Sequence, residues 1–404
     1  MRVVIIDGDV SYPATSGKRL RTLHLMLRAA RRHQITYVGR CAADSEEART
    51  APEYLRQRGI ECILVHHPVP QKSGPAFYAR LAASAVFSSR PYSVGSHYSE
   101  PMRQALRDCA LRNPPDLWQF EWAPYLDLLD ADIRGPRLVI AHNVDTLIWR
   151  RYYETAHGVF KRAFLKQQWR KFDRFEHEAF RRADRVVAVS ADDARLIREE
   201  FGQPEVDVVD NGIDRAYFEA AAPAARDPRS ILFLGALDWR PNLDAIDLLL
   251  GTIFPRVRGQ EPDARLVVVG RNPPTGLVER LRGTAGAELH ANVGDVRPFL
   301  VGSGVMAVPL RIGGGSRLKI LEALACGLPV VSTRVGAEGL CLVAGADYVQ
   351  AEEAEMADAL VTAIRDPVAA QAQAEHGRRV VLKTYDWDVL ARKLEASWEK
   401  CVNK

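Results

Sequence analysis

Short apolar runs recur through the whole chain, separated by amphipathic stretches, and this rhythm leaves few folds open. The runs fall at residues 3–6, 35–38, 62–65, 117–120, 138–141, 186–189 and 206–209, then again at 231–234, 266–269, 305–308 and 330–332. Such spacing marks a parallel sheet whose strands are joined by crossover helices. Two series, divided by the Ala- and Pro-rich stretch AAAPAARD at 220–227, predict two doubly wound Rossmann-like α/β domains facing a central cleft. The length of 404 residues suits two domains, and 47% hydrophobic with 26% charged residues is ordinary globular composition. The expected limits are 1–215, 225–380 and a closing helix over 385–404 that returns to the first domain.

No run of 18 uncharged apolar residues occurs, and the opening MRVVIIDGD meets an acid too early for a signal peptide. Both point to a soluble cytoplasmic protein. The six cysteines are scattered without a C-x-x-C pair, which argues for reduced, structural thiols and against zinc. Residues 1–220 hold 33 Lys and Arg against 29 acids, whereas the remainder holds 22 of each, so only the first half is basic.

Two helices stand out by pattern. Near the end, Trp387, Leu390, Leu394, Trp398 and Val402 repeat at helical spacing, so this helix must bury two tryptophans. Over 159–182 the pattern sets Phe160, Phe164, Trp169, Phe172 and Phe175 on one side and eight basic residues elsewhere. That helix packs on its sheet or, in a second reading, meets an anionic membrane through Lys161, Arg162, Lys166, Arg170 and Lys171.

The most informative segment is VMAVPLRIGGGSRLKILEALACGLPVVSTRVGAEG at 305–339. A strand ends at Pro309, Gly313, Gly314 and Gly315 follow, Ser316 can cap a helix, and Gly327 ends it, with the donor expected against Gly313, Gly314, Gly315, Ser316, Arg317 and Leu318. Bare amides at a helix start favour a phosphate. Arg317 and Lys319 in the first turn oppose the helix dipole unless an anion lies between, so the segment reads as a pyrophosphate site. Glu322, further along, suits a ribose diol.

This segment resembles the donor-binding signature of retaining glycosyltransferases of the GT-B fold, family 4, with its L-E-A-x-A-x-G-x-P-V-V helix. The resemblance extends to DRVVAVS at 184–190, NGID at 211–214 with Phe218, ILFLGALDWR at 231–240, and YPATSGKRLR at 12–21, which contains Gly17 of the loop facing the donor. The pattern is similar to sugar transferases of bacterial exopolysaccharide loci. One departure stands at Gly314, where most members carry the first of two glutamates that touches the donor sugar; only Glu322 is kept. The resemblance implies that Arg240 and Lys319 neutralise the diphosphate, with Arg317 contributing, and that His142 points toward the donor sugar.

The same resemblance implies retaining, metal-independent transfer of a hexosyl group from a nucleoside diphosphate sugar to a saccharide or a polyprenyl-diphosphate-linked acceptor. Neither a cofactor nor a nucleic-acid partner is expected. Asp7-Gly8-Asp9 and Asp130-Ala131-Asp132 have the D-x-D form that could hold Mn or Mg, but two fixed residues arise often by chance. The alternatives are a silent subunit supporting a partner transferase and a sugar-nucleotide epimerase.

Overall fold

Every apolar run read from the sequence is a strand in the structure, a computed structural model that describes residues 1–70, 74–156, 158–221, 225–312 and 317–403. The chain divides into two compact units: Met1–Asp210 with Leu390–Lys404, and Asn211–Val389. The first contains strands β1 (Arg2–Ile6), β2 (Gln34–Arg40), β3 (Ile60–Val65), β4 (Leu117–Phe120), β5 (Arg137–Ala141), β6 (Arg185–Ala188) and β7 (Val206–Val208). They pair in parallel, in the order β3-β2-β1-β4-β5-β6-β7. Order reverses between β1 and β4. The carboxyl ends of these two strands therefore diverge into a crevice, the usual ligand position of an open α/β sheet.

The second unit repeats the plan with β8 (Asp227–Leu234), β9 (Arg265–Gly270), β10 (Ala287–Ala291), β11 (Ser303–Val308), β12 (Val330–Ser332) and β13 (Val349–Gln350). Its parallel order is β10-β9-β8-β11-β12-β13, with reversal between β8 and β11. No apolar run marks strands β10 and β13, because each lies at a sheet edge and needs no two-sided apolar cover. Both units are Rossmann-like, each with a core spread over its sheet.

Helix Trp387–Val402 brings Leu390, Leu394 and Trp398 into the first unit fully buried, and Trp398 Nε1 donates to Gln119 Oε1 at 2.7 Å. Arg32 holds Glu395 of the same helix by two N–H groups. Trp387, also buried, stays with the second unit, where its backbone N–H donates to Ile213 O.

Helix Val159–Arg182 differs from its expected facing. Its buried side is Leu165, Gln168, Phe172, Phe175 and Ala179, while Phe160 is 93% exposed and Trp169 stacks on Tyr153. The first turn extends past the core, so the aromatic at its head has nothing to pack on. Nor do all five basic residues form a free surface: Lys171 is buried and donates to Ser84 O and Ala85 O, and Arg162 donates to Tyr153 O and Ala156 O.

Candidate functional site

In the first unit the crevice between β1 and β4 opens into a cavity of about 670 Å³. Asp7 follows β1 and Glu121 follows β4, so the register puts two carboxylates beside each other. Asp7 is fully buried and held by Lys18 Nζ, and Asp9 receives two N–H groups of Arg19 at 2.6 and 2.9 Å. Burial pushes the Asp7 carboxyl up to about 6, against the opposing pull of Lys18. Gly8 between them touches Tyr125: a Cβ there would lie 2.0 Å from the Tyr125 hydroxyl. The acids of this D-x-D are thus engaged by cations of the chain. So is Asp130, which both Arg103 and Arg107 hold. Among the described residues, no group of three His, Cys, Asp or Glu is arranged to hold a metal.

Glu121 is the hub of the cavity wall. Its Oε2 accepts from Thr22 Oγ1 at 2.7 Å and meets His142 Nε2 at 2.9 Å, while Oε1 accepts from Gln119 Nε2 at 2.6 Å. Burial acts to raise this carboxyl, but the hydrogen bond and charge of His142, then Thr22 and Lys18, outweigh it and hold it below its ordinary value. Burial lowers His142 below the usual imidazole range despite Glu121, with Arg21 and Lys18 adding to the effect. At neutral pH the contact is therefore a neutral imidazole donating from Nε2 to a carboxylate, which leaves Nδ1 as an acceptor. His142 follows β5 and precedes helix Asp145–Thr155, whose first N–H groups, at Asp145 and Thr146, donate to buried Glu176. Trp122 Nε1 donates to Asp145 Oδ2 and fixes the same corner. Gly17 opens helix Gly17–Ala29 below Ser16, whose Oγ accepts from Arg19 N.

In the second unit, Arg240 is exposed at the first position of helix Arg240–Leu248, at the carboxyl end of β8. Helix Leu318–Ala325 follows β11, with Arg317 at its cap. Lys319 Nζ donates to Asn242 Oδ1 at 2.8 Å and stands 4.9 Å from the Phe233 ring centroid. Gly235 makes this possible, since a Cβ there would lie 2.7 Å from Asn242 Nδ2 and 3.1 Å from Lys319 Nζ. Burial, with help from Arg317, lowers Lys319 to about 7, and burial raises Glu322 to about 7 against the pull of Lys319. Arg317 is buried and paired with Glu338 at 3.3 Å. Gly327, at φ +66°, takes the left-handed position that ends the helix. Gly313, Gly314, Gly315 and Ser316 lie outside the described residues.

Thus Arg240, Arg317, Lys319 and Glu322 gather at the switch point of the second sheet, and Gly17 and His142 at that of the first. Sequence reasoning misses Glu121, Thr22 and Asn242. For Glu121 a signal exists: an acid directly after a strand that neighbours the first one. The pairing of β4 with β1 is needed to use it.

Two family matches account for these features. Residues 49–217 match Glycosyltransferase Family 4, and residues 228–366 match Glycosyl transferases group 1. The chain is 28% identical over 224 residues to a glycogen synthase of Mycobacterium tuberculosis, 52% of this chain and 53% of that one. It therefore spans about half the length of that relative. An uncharacterized 44.6 kDa protein in the cps region of Klebsiella pneumoniae is 23% identical over 351 residues, 84% of each chain. Among solved structures, sucrose-phosphate synthase of Thermosynechococcus elongatus superposes with a TM-score of 0.71 at 17% identity, over 99% of both chains. HepE of Anabaena, in complex with UDP and glucose, gives 0.65 at 14% over 99% of this chain and 100% of that one. The two family matches follow each other along about three quarters of the sequence, one in each Rossmann-like unit, and the chain belongs to the family 4 glycosyltransferases of the GT-B fold.

Proposed function

We propose that this transferase moves a hexosyl group from a nucleoside diphosphate sugar to a hydroxyl of a saccharide or lipid-linked glycan, with retention at the anomeric carbon and without a metal. The observation that carries the reading is the Lys319–Asn242 contact beside Glu322, a half-buried amine and a half-buried carboxyl held ready at the switch point of the second sheet. The bond from the anomeric carbon to the diphosphate oxygen breaks, and negative charge collects on the leaving diphosphate. Lys319 as ammonium, with Arg240, stabilises that charge where it develops. Glu322 accepts hydrogen bonds from the ribose. The acceptor oxygen bonds to the anomeric carbon on the face being vacated, and its proton passes to the leaving phosphate oxygen, so no protein base is required.

His142 Nδ1 accepts a hydrogen bond from a sugar hydroxyl, its ring held by Glu121. A cavity of about 670 Å³ suits a sugar acceptor. Asp7, Asp9 and Asp130 are engaged by Lys and Arg, which supports charge neutralisation by side chains rather than by a metal. The cps-region relative and HepE with UDP-glucose favour a role in exopolysaccharide or cell-surface glycan synthesis with a UDP-sugar donor.

The test is a thermal-shift screen against UDP-, GDP-, ADP- and dTDP-sugars, followed by nucleoside diphosphate release with and without glycan acceptors in excess EDTA. Acceptor-dependent release in EDTA is expected. No stabilisation by any nucleotide sugar would overturn the reading, and conversion of the nucleotide sugar to its epimer without net diphosphate release would favour the epimerase. Stabilisation without turnover on any acceptor would favour the silent subunit.

A further inference from the structure

Helix Pro75–Phe87, PAFYARLAASAVF, carries its apolar face outward. Phe77 packs edge-on against Tyr92, and the carbonyls of Ser84 and Ala85 are capped by Lys171 and Gln167 of helix Val159–Arg182. That fixes the inner side. The outer side is Tyr78, Ala79, Ala82, Ala83 and Val86, all exposed, an arc of about 140° at 100° per residue without a charge. Tyr78 is 66%, Val86 74% and Phe87 87% exposed. A helix on a water-facing surface has the opposite arrangement, and a contiguous apolar patch of this kind marks a contact surface.

The patch continues onto the neighbouring helix. Phe160, Phe164, Gln167 and Lys171 recur at i, i+4, i+7 and i+11 and so share one face. Gln167 and Lys171 touch the end of Pro75–Phe87, which puts exposed Phe160 about 10 Å further along that face. Exposed Arg80, Lys161 and Arg170 flank these apolar groups, and no described residue holds any of them in an ion pair. Between Glu61 and Glu100 the sequence contains no acid at all.

Charge decides the occupant. A second copy docking by a two-fold axis would set the same cations against themselves. An anionic lipid surface complements them, while the apolar groups enter the boundary between headgroups and acyl chains. We infer that helix Pro75–Phe87, with the first turn of Val159–Arg182, is a docking surface for an anionic lipid bilayer. The helix begins five residues along the chain from Pro70 in the cavity wall, so a lipid-borne acceptor would be met at the membrane.

The full chain is sedimented with vesicles of phosphatidylcholine alone and with vesicles containing an equal part of phosphatidylglycerol, at low and high salt. Binding to the anionic vesicles that weakens with salt is expected. Val86→Asp with Phe87→Asp should weaken it at least about tenfold, and Arg80→Gln, Lys161→Gln and Arg170→Gln together should remove its salt dependence. Val368→Asp, which alters an apolar side chain 78% exposed elsewhere, should change nothing. Each variant should keep the wild-type melting temperature and nucleotide-sugar stabilisation, which separates loss of docking from loss of fold or donor site. The inference fails if the wild type binds neither vesicle, or if Val86→Asp with Phe87→Asp leaves binding intact. It fails equally if those two substitutions instead abolish self-association in sedimentation without lipid.

Discussion

Lys319 and Glu322 are poised on opposite sides of the same titration. Lys319 is lowered to about 7 and Glu322 raised to about 7, both chiefly by burial. A bound diphosphate favours the ammonium and a bound ribose favours the carboxylate, so each ligand part restores one charge. Below pH 7 Lys319 is already protonated and Glu322 is not yet ionised, so nucleoside diphosphate binding should release protons. Above pH 7 the amine is neutral and the carboxylate ionised, so binding should take protons up. Calorimetry in buffers of different ionisation enthalpy at pH 6 and 8 should show this change of sign; the same sign at both would refute the pairing. Lys319→Ala should abolish the uptake. Lys319→Ala and Arg240→Ala should each lower turnover by roughly 10²-fold, the usual loss for one contact to developing charge, with unchanged melting temperature. Wild-type rates in both would remove them from the site.

At the level of elements, Glu176 ties one helix to the start of another. Its carboxyl accepts the N–H groups of Asp145 and Thr146, so Glu176→Ala leaves two amides unpaired at the head of Asp145–Thr155. The expected cost is about 1–3 kcal/mol in urea denaturation, with a fall in turnover because this helix follows His142. A stability equal to wild type would mean water replaces the cap at no cost. Elements of this kind differ in how far the sequence reveals them. Strands such as β1, β5, β6 and β11 are covered on both faces and read as apolar runs. AELHA of β10 is a half-exposed edge and carries no such mark. Helix Pro75–Phe87 is hard to see in the sequence because an apolar outer face erases the polar side that defines amphipathic periodicity. Lys319, Glu322 and His142 stand within recognisable motifs. Glu121 does not, since β4 lies beside β1 across a long sequence gap, and Asn242, two residues past ILFLGALDWR, gives no sign of its role because it acts through Lys319.

For the whole molecule, two cores predict two unfolding events. Trp398→Ala removes a fully buried side chain and its bond to Gln119, a loss of about 3–5 kcal/mol confined to the first unit. Scanning calorimetry should therefore show one transition moving down while the other stays; equal displacement of both would mean the units melt as one. The return of Leu390–Lys404 to the first unit also sets an order of events at the ribosome. The sheet face around Gln119 is made early, but its cover is among the later residues, after Asn211–Val389 has been translated. At ~5–20 residues per second that interval is roughly 10–35 s. Throughout it the nascent first unit displays the seat of Trp398 uncovered, so the half of the molecule begun first is the half completed last, and the one a chaperone has reason to hold.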